Sequence, residues 1–181
     1  MDAAEPRSLE IHIREITAQS AESLLAEARD LLLEYGRFVI AQPGAAGFCF
    51  GSLEKEAARL PISFIEQGGG CLVAHVNGNP VGFVAWRDVP ESVATDAWEL
   101  KRLWVRPAGR GLGIGRALTQ AVLDRAVAAG RTAIYLDTAP AAMDAAHRLY
   151  LEMGFAPCPR YNDNPVEGLA YLVKVLGRKG P

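Results

Sequence analysis

The sequence predicts an α/β (α+β) domain, a mixed central sheet of six or seven strands with helices on both faces. Three observations predict it. Segments with strand and helix periodicity follow one another in the order β-α-α-β-β-β-α-β-α-β-β. The middle of that order is a β-α-β unit, which calls for a parallel pair of strands. The 181 residues are 50% hydrophobic, enough to bury one sizeable core, so a single domain over 1–181 is expected. A two-layer α+β sandwich satisfies the same order, and the pattern alone leaves it open.

Each element has its own warrant. "LEIHIRE" (9–15) alternates apolar and polar side chains as a half-buried strand does. "SAESLLAEARDLLLEYG" (20–36) carries a helical apolar stripe, with Ser20 or Ser23 placed to cap it and Gly36 to stop it. Residues 37–51 form a glycine-rich, aromatic loop, and "SLEKEAARL" (52–60) is a short helix that ends before Pro61. "CLVAHVNGNPVGFVAW" (71–86) is a hairpin around Asn77-Gly78, because a tight turn needs the positive φ that those residues tolerate. "AWELKRLWV" (97–105) is a strand that stops at Pro107. A helix from about Gly113 to Ala129 follows, with Ile114, Leu118, Ala121 and Val122 on its apolar face and Gly130 at its end. "TAIYLDT" (132–138) is the next strand, and Thr138 is placed to cap a helix carrying Met143, Ala146, Leu149, Tyr150 and Met153. That helix closes at Gly154, and residues 155–161 and 169–176 supply the last two strands.

Composition excludes several classes. A net charge of −2 and a pI near 5.9 argue against a general nucleic-acid binder. The charge is uneven, however. Lys101, Arg102, Arg106, Arg110 and Arg116 crowd five of the 19 basic side chains into one short stretch, which reads as a local anion site. Cys49, Cys71 and Cys158 are odd in number and widely spaced, so a disulfide framework and a zinc site are both unexpected and a reducing cytoplasm fits. They read as small apolar groups, and His12, His75 and His147 as structural histidines. "MDAAEPRSLE" lacks the apolar run of a signal peptide, and the uncharged stretch 38–53 is too short and too broken to span a bilayer. Neither a metal nor a membrane is expected.

The most informative segment is "RPAGRGLGIGRAL" (106–118), where Gly109, Gly111, Gly113 and Gly115 fall at every second position between arginines. It joins a strand to a helix, whose first N–H groups have no intrahelical acceptor and sit at the positive end of the helix dipole. Glycine lets an anion approach those amides without meeting a Cβ, and several successive donors suit a diphosphate. A plain turn does not need four glycines. A Rossmann dinucleotide site gains from Asp137 at a strand end, but Arg116 stands where the third glycine of GxGxxG belongs. A P-loop fails because no Gly-Lys-Ser/Thr follows.

Arg110-Gly111-Leu112-Gly113-Ile114-Gly115 resembles the Arg/Gln-x-x-Gly-x-Gly/Ala signature of the GNAT N-acetyltransferase superfamily. "ELKRLWVRP" resembles that family's central strand before the loop, and "LYLEMGF" (149–155) its late helix and following strand. The resemblance implies a mostly antiparallel GNAT-type sheet and direct acetyl transfer from acetyl-CoA to a primary amine of a small molecule or peptide, without an acyl-enzyme. It further implies that Arg110 to Arg116 grip the cofactor's pyrophosphate, and that the main chain of Leu103 and Val105 meets the pantetheine, with Trp104 between them. A homodimer is compatible with it.

An alkylammonium has a pKa of about 10, so the amine must lose a proton, and the departing thiolate should gain one. In the family a tyrosine at the place of Tyr150 often gives that second proton, and several members place a glutamate base at the place of Glu99. Alternation sends Glu99, Lys101, Leu103 and Val105 to one face and Leu100, Arg102 and Trp104 to the other; neither is cleanly apolar, which suits a bulged strand. The structural alternative for Glu99 is an ion pair with Lys101 or Arg102, and for Tyr150 core packing. One departure is Met143, where the family commonly has a cofactor-contacting asparagine; Asp137 and Thr138 are nearby substitutes. Tyr161 and Asn162, and Phe48 and Phe50 in the 37–51 loop, are candidates for the acceptor wall. A non-catalytic acyl-CoA sensor on the same fold is the opposing class.

Overall fold

The computed structural model describes residues 9–48 and 50–177, so Cys49 lies outside the described residues. The strands are β1 (Ile11–Ile16), β2 (Gly70–Val76), β3 (Asn79–Asp88), β4 (Ala97–Val105), β5 (Ala133–Thr138), β6 (Ala156–Pro157) and β7 (Ala170–Val175). The helices are α1 (Glu22–Ile40), α2 (Phe50–Ala58), α3 (Ile62–Ile65), α4 (Ile114–Ala128) and α5 (Asp144–Glu152). The seven strands make one sheet in the order β1-β2-β3-β4-β5-β7-β6. β4 and β5 run parallel, joined through α4, and every other neighbouring pair is antiparallel.

Two cores lie on opposite faces of this sheet. Ile16, Leu31, Leu32, Leu53, Phe64, Val73 and Phe83 bury α1, α2 and α3 on one side. Leu72, Val84, Leu100, Ile114, Leu118, Ile134 and Tyr150 bury α4 and α5 on the other. That is three layers, which removes the two-layer sandwich, and the antiparallel flanks remove a doubly wound dinucleotide fold.

Several boundaries moved for identifiable reasons. Gly36 does not stop α1, which continues to Ile40. A Cβ there would lie 2.7 Å from both Leu53 and Phe50, so the glycine buys the close approach of α2 instead. Neither Ser20 nor Ser23 caps α1: Ala21 holds that position, and the Ser20 hydroxyl accepts from the Thr17 amide at 2.9 Å. Thr138 ends β5 and caps nothing; a turn over 139–142 intervenes and Met143 precedes α5. The strand expected over 155–161 shrinks to Ala156–Pro157, because the following residues turn away to the site. The hairpin turns as expected at Asn77 and Gly78, with φ of 49° and 81°. No helix among the described residues is long and apolar enough to cross a membrane.

Candidate active site

β4 organises the site through two irregularities. Phe83 pairs with Trp104 and Ala85 with Lys101, so Arg102 and Leu103 together oppose Val84 alone. This β-bulge takes Arg102 to φ +60° and inserts one residue into the alternation. The sequence expectation that Glu99, Lys101, Leu103 and Val105 share a face is therefore wrong. Glu99 and Lys101 lie opposite Arg87 and Ala85, on the α1 side, whereas Leu103 and Val105 pack into the α4 core and Trp104 into the α1 core. The bulge itself is as the mixed polarity of the strand foretold.

The second irregularity is a splay. β4 and β5 are laddered only from Ala97–Ala133 to Glu99–Tyr135. Beyond that they part, and a cleft of about 530 Å3 opens between the end of β4, the glycine turn and α5. Leu103, Trp104, Val105, Arg110, Gly111, Gly113, Ile114, Gly115 and Arg116 line it, with Met143, Ala146 and Leu149 opposite. Leu112 does not line it and is 36% exposed on the outside of the turn.

The glycines give this turn its shape. Gly111 and Gly113 both have φ +76°, a conformation costly for side-chain-bearing residues, and a Cβ on either would meet nothing within 4 Å. Gly109 is buried against Val81 and Val105, and Gly115 lies against Leu149. The Gly109 and Arg110 amides bond to Arg106 and Pro107, and the Ala117 amide to Gly113. Between them, the six amides from Gly111 to Arg116 donate to no described residue. They are the free donors of a nest at a helix N-terminus.

The basic cluster divides. Arg106 forms a paired contact with Glu34 (2.7 and 3.0 Å) and donates to Pro80 O at 2.7 Å, tying α1 to the end of β4. That hydrogen bond from Arg106, opposed by partial burial and aided by the Trp104 indole, holds the Glu34 carboxyl below its ordinary range. Arg102 pairs with Glu56, and Lys101 with Glu99 and Asp137. Arg110 stands over the Trp104 ring at 5.4 Å, while Arg116 meets Glu152 at 2.6 Å on the surface. Only part of the run, then, is available to a ligand.

A smaller cavity of about 70 Å3 adjoins the cleft, sharing Leu103, Met143 and Ala146 with it. Tyr35, Phe48, Lys101, Arg102, Asp137, Thr138, Tyr150 and Asn164 also line it. Tyr150 is buried, packs edge-on against Phe155, and its hydroxyl bonds to no described residue. Burial, then the neighbouring Tyr35 and Asp137, push the phenol far up, so it keeps its proton. The Thr138 hydroxyl is buried without a partner. Met143 contributes apolar surface at the junction of the two spaces.

Glu99 lies behind this cavity and does not line it. It accepts from Arg87 Nε (2.9 Å), Lys101 Nζ (3.3 Å), Tyr161 Oη (2.9 Å) and Asn162 Nδ2 (3.1 Å). Desolvation, the largest influence, raises its pKa, but Lys101, Arg87 and the Tyr161 bond together carry it below the carboxylate range. The pairing alternative thus describes it, with Arg87 in the place expected of Arg102. Tyr161 and Asn162 serve Glu99 instead of bordering the cavity. Phe48 does border it, while Phe50 packs into the α1 core. Tyr35 and Asn164 escaped the sequence reading, since neither sits in a motif; the turn-rich "PRYNDNP" was the one local hint of Asn164.

The family model described as the Acetyltransferase (GNAT) family matches residues 24–155, most of the chain and both cavities' principal walls. The chain belongs to the GNAT acetyltransferase family. Among curated relatives of this GNAT chain, an uncharacterized N-acetyltransferase of Schizosaccharomyces pombe is 30% identical over 57% of this chain and 53% of its own length. Human N-acetylaspartate synthetase is 37% identical over 58% of this chain and 33% of its own length. The GNAT chain thus spans about half of the first and a third of the second. Among solved structures, a Streptococcus agalactiae acetyltransferase superposes with a TM-score of 0.70 at 22% identity, covering 92% of this chain and 98% of that one. The Salmonella typhimurium yncA structure, solved with acetyl-CoA as its cofactor, gives 0.64 at 19% identity, covering 92% and 94%. These likenesses establish the shared fold.

Proposed function

We propose that this GNAT chain transfers an acetyl group from acetyl-CoA directly to a primary amine of a small molecule or peptide. One observation carries the reading: of the six amides unpaired among the described residues, five belong to residues that line the same cleft as Leu103–Val105, a stretch with no ladder to β5. A diphosphate suits the first and an amide-bearing pantetheine the second. The residues present fit the cofactor, with Arg110 placed to add a charge-assisted contact from its seat over Trp104.

What acetyl-CoA supplies is an activated acyl group, so that an N–C bond replaces the C–S bond. Tyr150 holds a proton at its hydroxyl for the leaving sulfur; burial keeps that proton on the resting phenol, and the developing thiolate must draw it off as the C–S bond breaks. Glu99 is the base expected from the resemblance, yet its four bonds and its distance from the cavity lining favour a positioning role, holding Lys101 and Tyr161. Asp137 lines the cavity, and its Oδ1 accepts from no described residue, so it takes the amine's proton. Of the described cysteines, neither Cys71 nor Cys158 lines either space, so neither is placed to carry an acyl group. The N-acetylaspartate synthetases among the relatives support a small-molecule acceptor.

Thermal denaturation with acetyl-CoA and with NAD tests the cofactor. Ligand at 100 times its Kd should stabilise by about 2.7 kcal/mol, for acetyl-CoA alone. CoA release on a panel of amines tests the chemistry: Tyr150→Phe should lower kcat roughly 100-fold or more at unchanged Tm. Stabilisation by NAD instead of acetyl-CoA sinks the reading, and unaltered turnover removes Tyr150 from it. Stabilisation by acetyl-CoA with no turnover on any amine would favour the sensor.

A further inference from the structure

The smaller cavity contains a cation that the transfer chemistry does not use. Arg102 sits at the bulge with φ +60°, and among the described residues the other non-glycine with positive φ is Asn77, where the hairpin turn requires it. Such strain in the middle of a strand persists when surrounding contacts impose it, and it concentrates at ligand sites. Here the contacts are specific. The guanidinium carbon lies 5.7 Å from the Tyr35 ring centre and 5.9 Å from that of Phe48, and both rings line the cavity together with Arg102. Nε hydrogen-bonds Glu56 at 3.0 Å, and Tyr35 is a second hydrogen-bonding neighbour of the guanidinium. A guanidinium carries five N–H donors on more than one edge, so one carboxylate on Nε leaves the terminal nitrogens able to grip a second.

The neighbouring charges make Arg102 the cation on offer. Lys101, the other cationic lining residue, is held between Glu99 and Asp137. Asp137, with Oδ1 open, supplies a carboxylate to the same cavity. One guanidinium and one carboxylate lining a small aromatic-walled space match a zwitterion, an ammonium at Asp137 and a carboxylate at Arg102. A polyamine would leave the guanidinium facing another cation.

We propose that Arg102 receives a carboxylate of the acceptor, which makes the acceptor of this GNAT chain a free amino acid. The proposal rests on the acetyltransferase reading and names its second substrate class.

The test uses the whole chain with acetyl-CoA and five acceptors: L-aspartate, L-alanine, their carboxylate-free counterparts asparaginamide and alaninamide, and spermidine. The expected result is at least a tenfold higher kcat/KM for an amino acid than for its amide, with spermidine poor. This comparison needs no variant, so folding of a mutant does not enter it. Arg102→Met should erase the preference through KM at an unchanged acetyl-CoA Kd, and Arg102→Lys should restore part of it. A merely structural arginine would lower turnover of all five alike. Equal or better turnover of the amides or spermidine overturns the proposal and leaves acetyl transfer standing; acetyl-CoA binding with transfer to none of the five overturns the proposal too, and the wider amine panel then decides between transferase and sensor. Failure to bind acetyl-CoA overturns both.

Discussion

Glu99, near the start of β4, and the Gly111–Arg116 turn, just past its end, treat polar groups in opposite ways. Four donors converge on one buried carboxylate at the first, and six donors have no described acceptor at the second. The difference teaches how to separate structure from function in a polar cluster. A buried charge must be matched internally because desolvation is severe, whereas amides at a helix start on an open cleft can wait for an anion. Both regions attracted functional readings in the sequence, and the state of their hydrogen bonds is what divides them.

Breaking the first region should have the largest effect on stability. Glu99→Ala strands Arg87 and Lys101 beside an apolar core, and loss of one partner from a buried pair costs about 3–5 kcal/mol; urea denaturation measures it. A loss below about 1 kcal/mol would make Glu99 an ordinary surface pair and reopen its role as base. Gly113→Val attacks the second region. The left-handed backbone costs about 1–2 kcal/mol for a side-chain-bearing residue, and losing one hydrogen bond to a charged acceptor, worth about 1.5–3 kcal/mol, weakens acetyl-CoA roughly 10- to 100-fold. Calorimetric titration reads the second effect, and unaltered affinity would show that the nest does not hold the cofactor.

Acid sharpens the contrast further. Glu99 and Glu34 both titrate below their ordinary 4.5 in the folded chain, so their stabilisation is complete above that pH and is lost as pH falls through the folded values. Melting temperature should therefore drop below about pH 4.5, and Glu99→Gln should flatten the drop; an unchanged slope would contradict the ion-paired description. The smallest effect is expected at the surface. Glu152→Ala releases Arg116 from an exposed pair and should shift stability by under about 1 kcal/mol, without weakening acetyl-CoA.

The element order and the glycine turn were legible because both are local. Strand alternation needs a few residues, and a nest declares itself through glycines at fixed spacing. What stayed hidden depends on partners distant in the chain. Gly36 reads locally as a helix stop, and becomes a packing glycine when Phe50 and Leu53 arrive against it. The parity change at Arg102 arises where β3 sets the register, beyond the reach of alternation within β4 alone. Glu34, which unites Trp104 and Arg106, comes from 70 residues earlier with no motif around it. Tyr150 lay in a recognisable segment, yet its cavity depends on Tyr35 and Asn164 from opposite ends of the chain.

The short ladder between β4 and β5 has a mechanical consequence. With three paired positions and then a gap, the sheet is two panels, β1–β4 and β5–β7, sharing a narrow seam. A guest whose own amides bridge that gap would suture the panels, so occupancy should slow hydrogen–deuterium exchange along both lips at once, Leu103–Val105 and Leu136–Thr138.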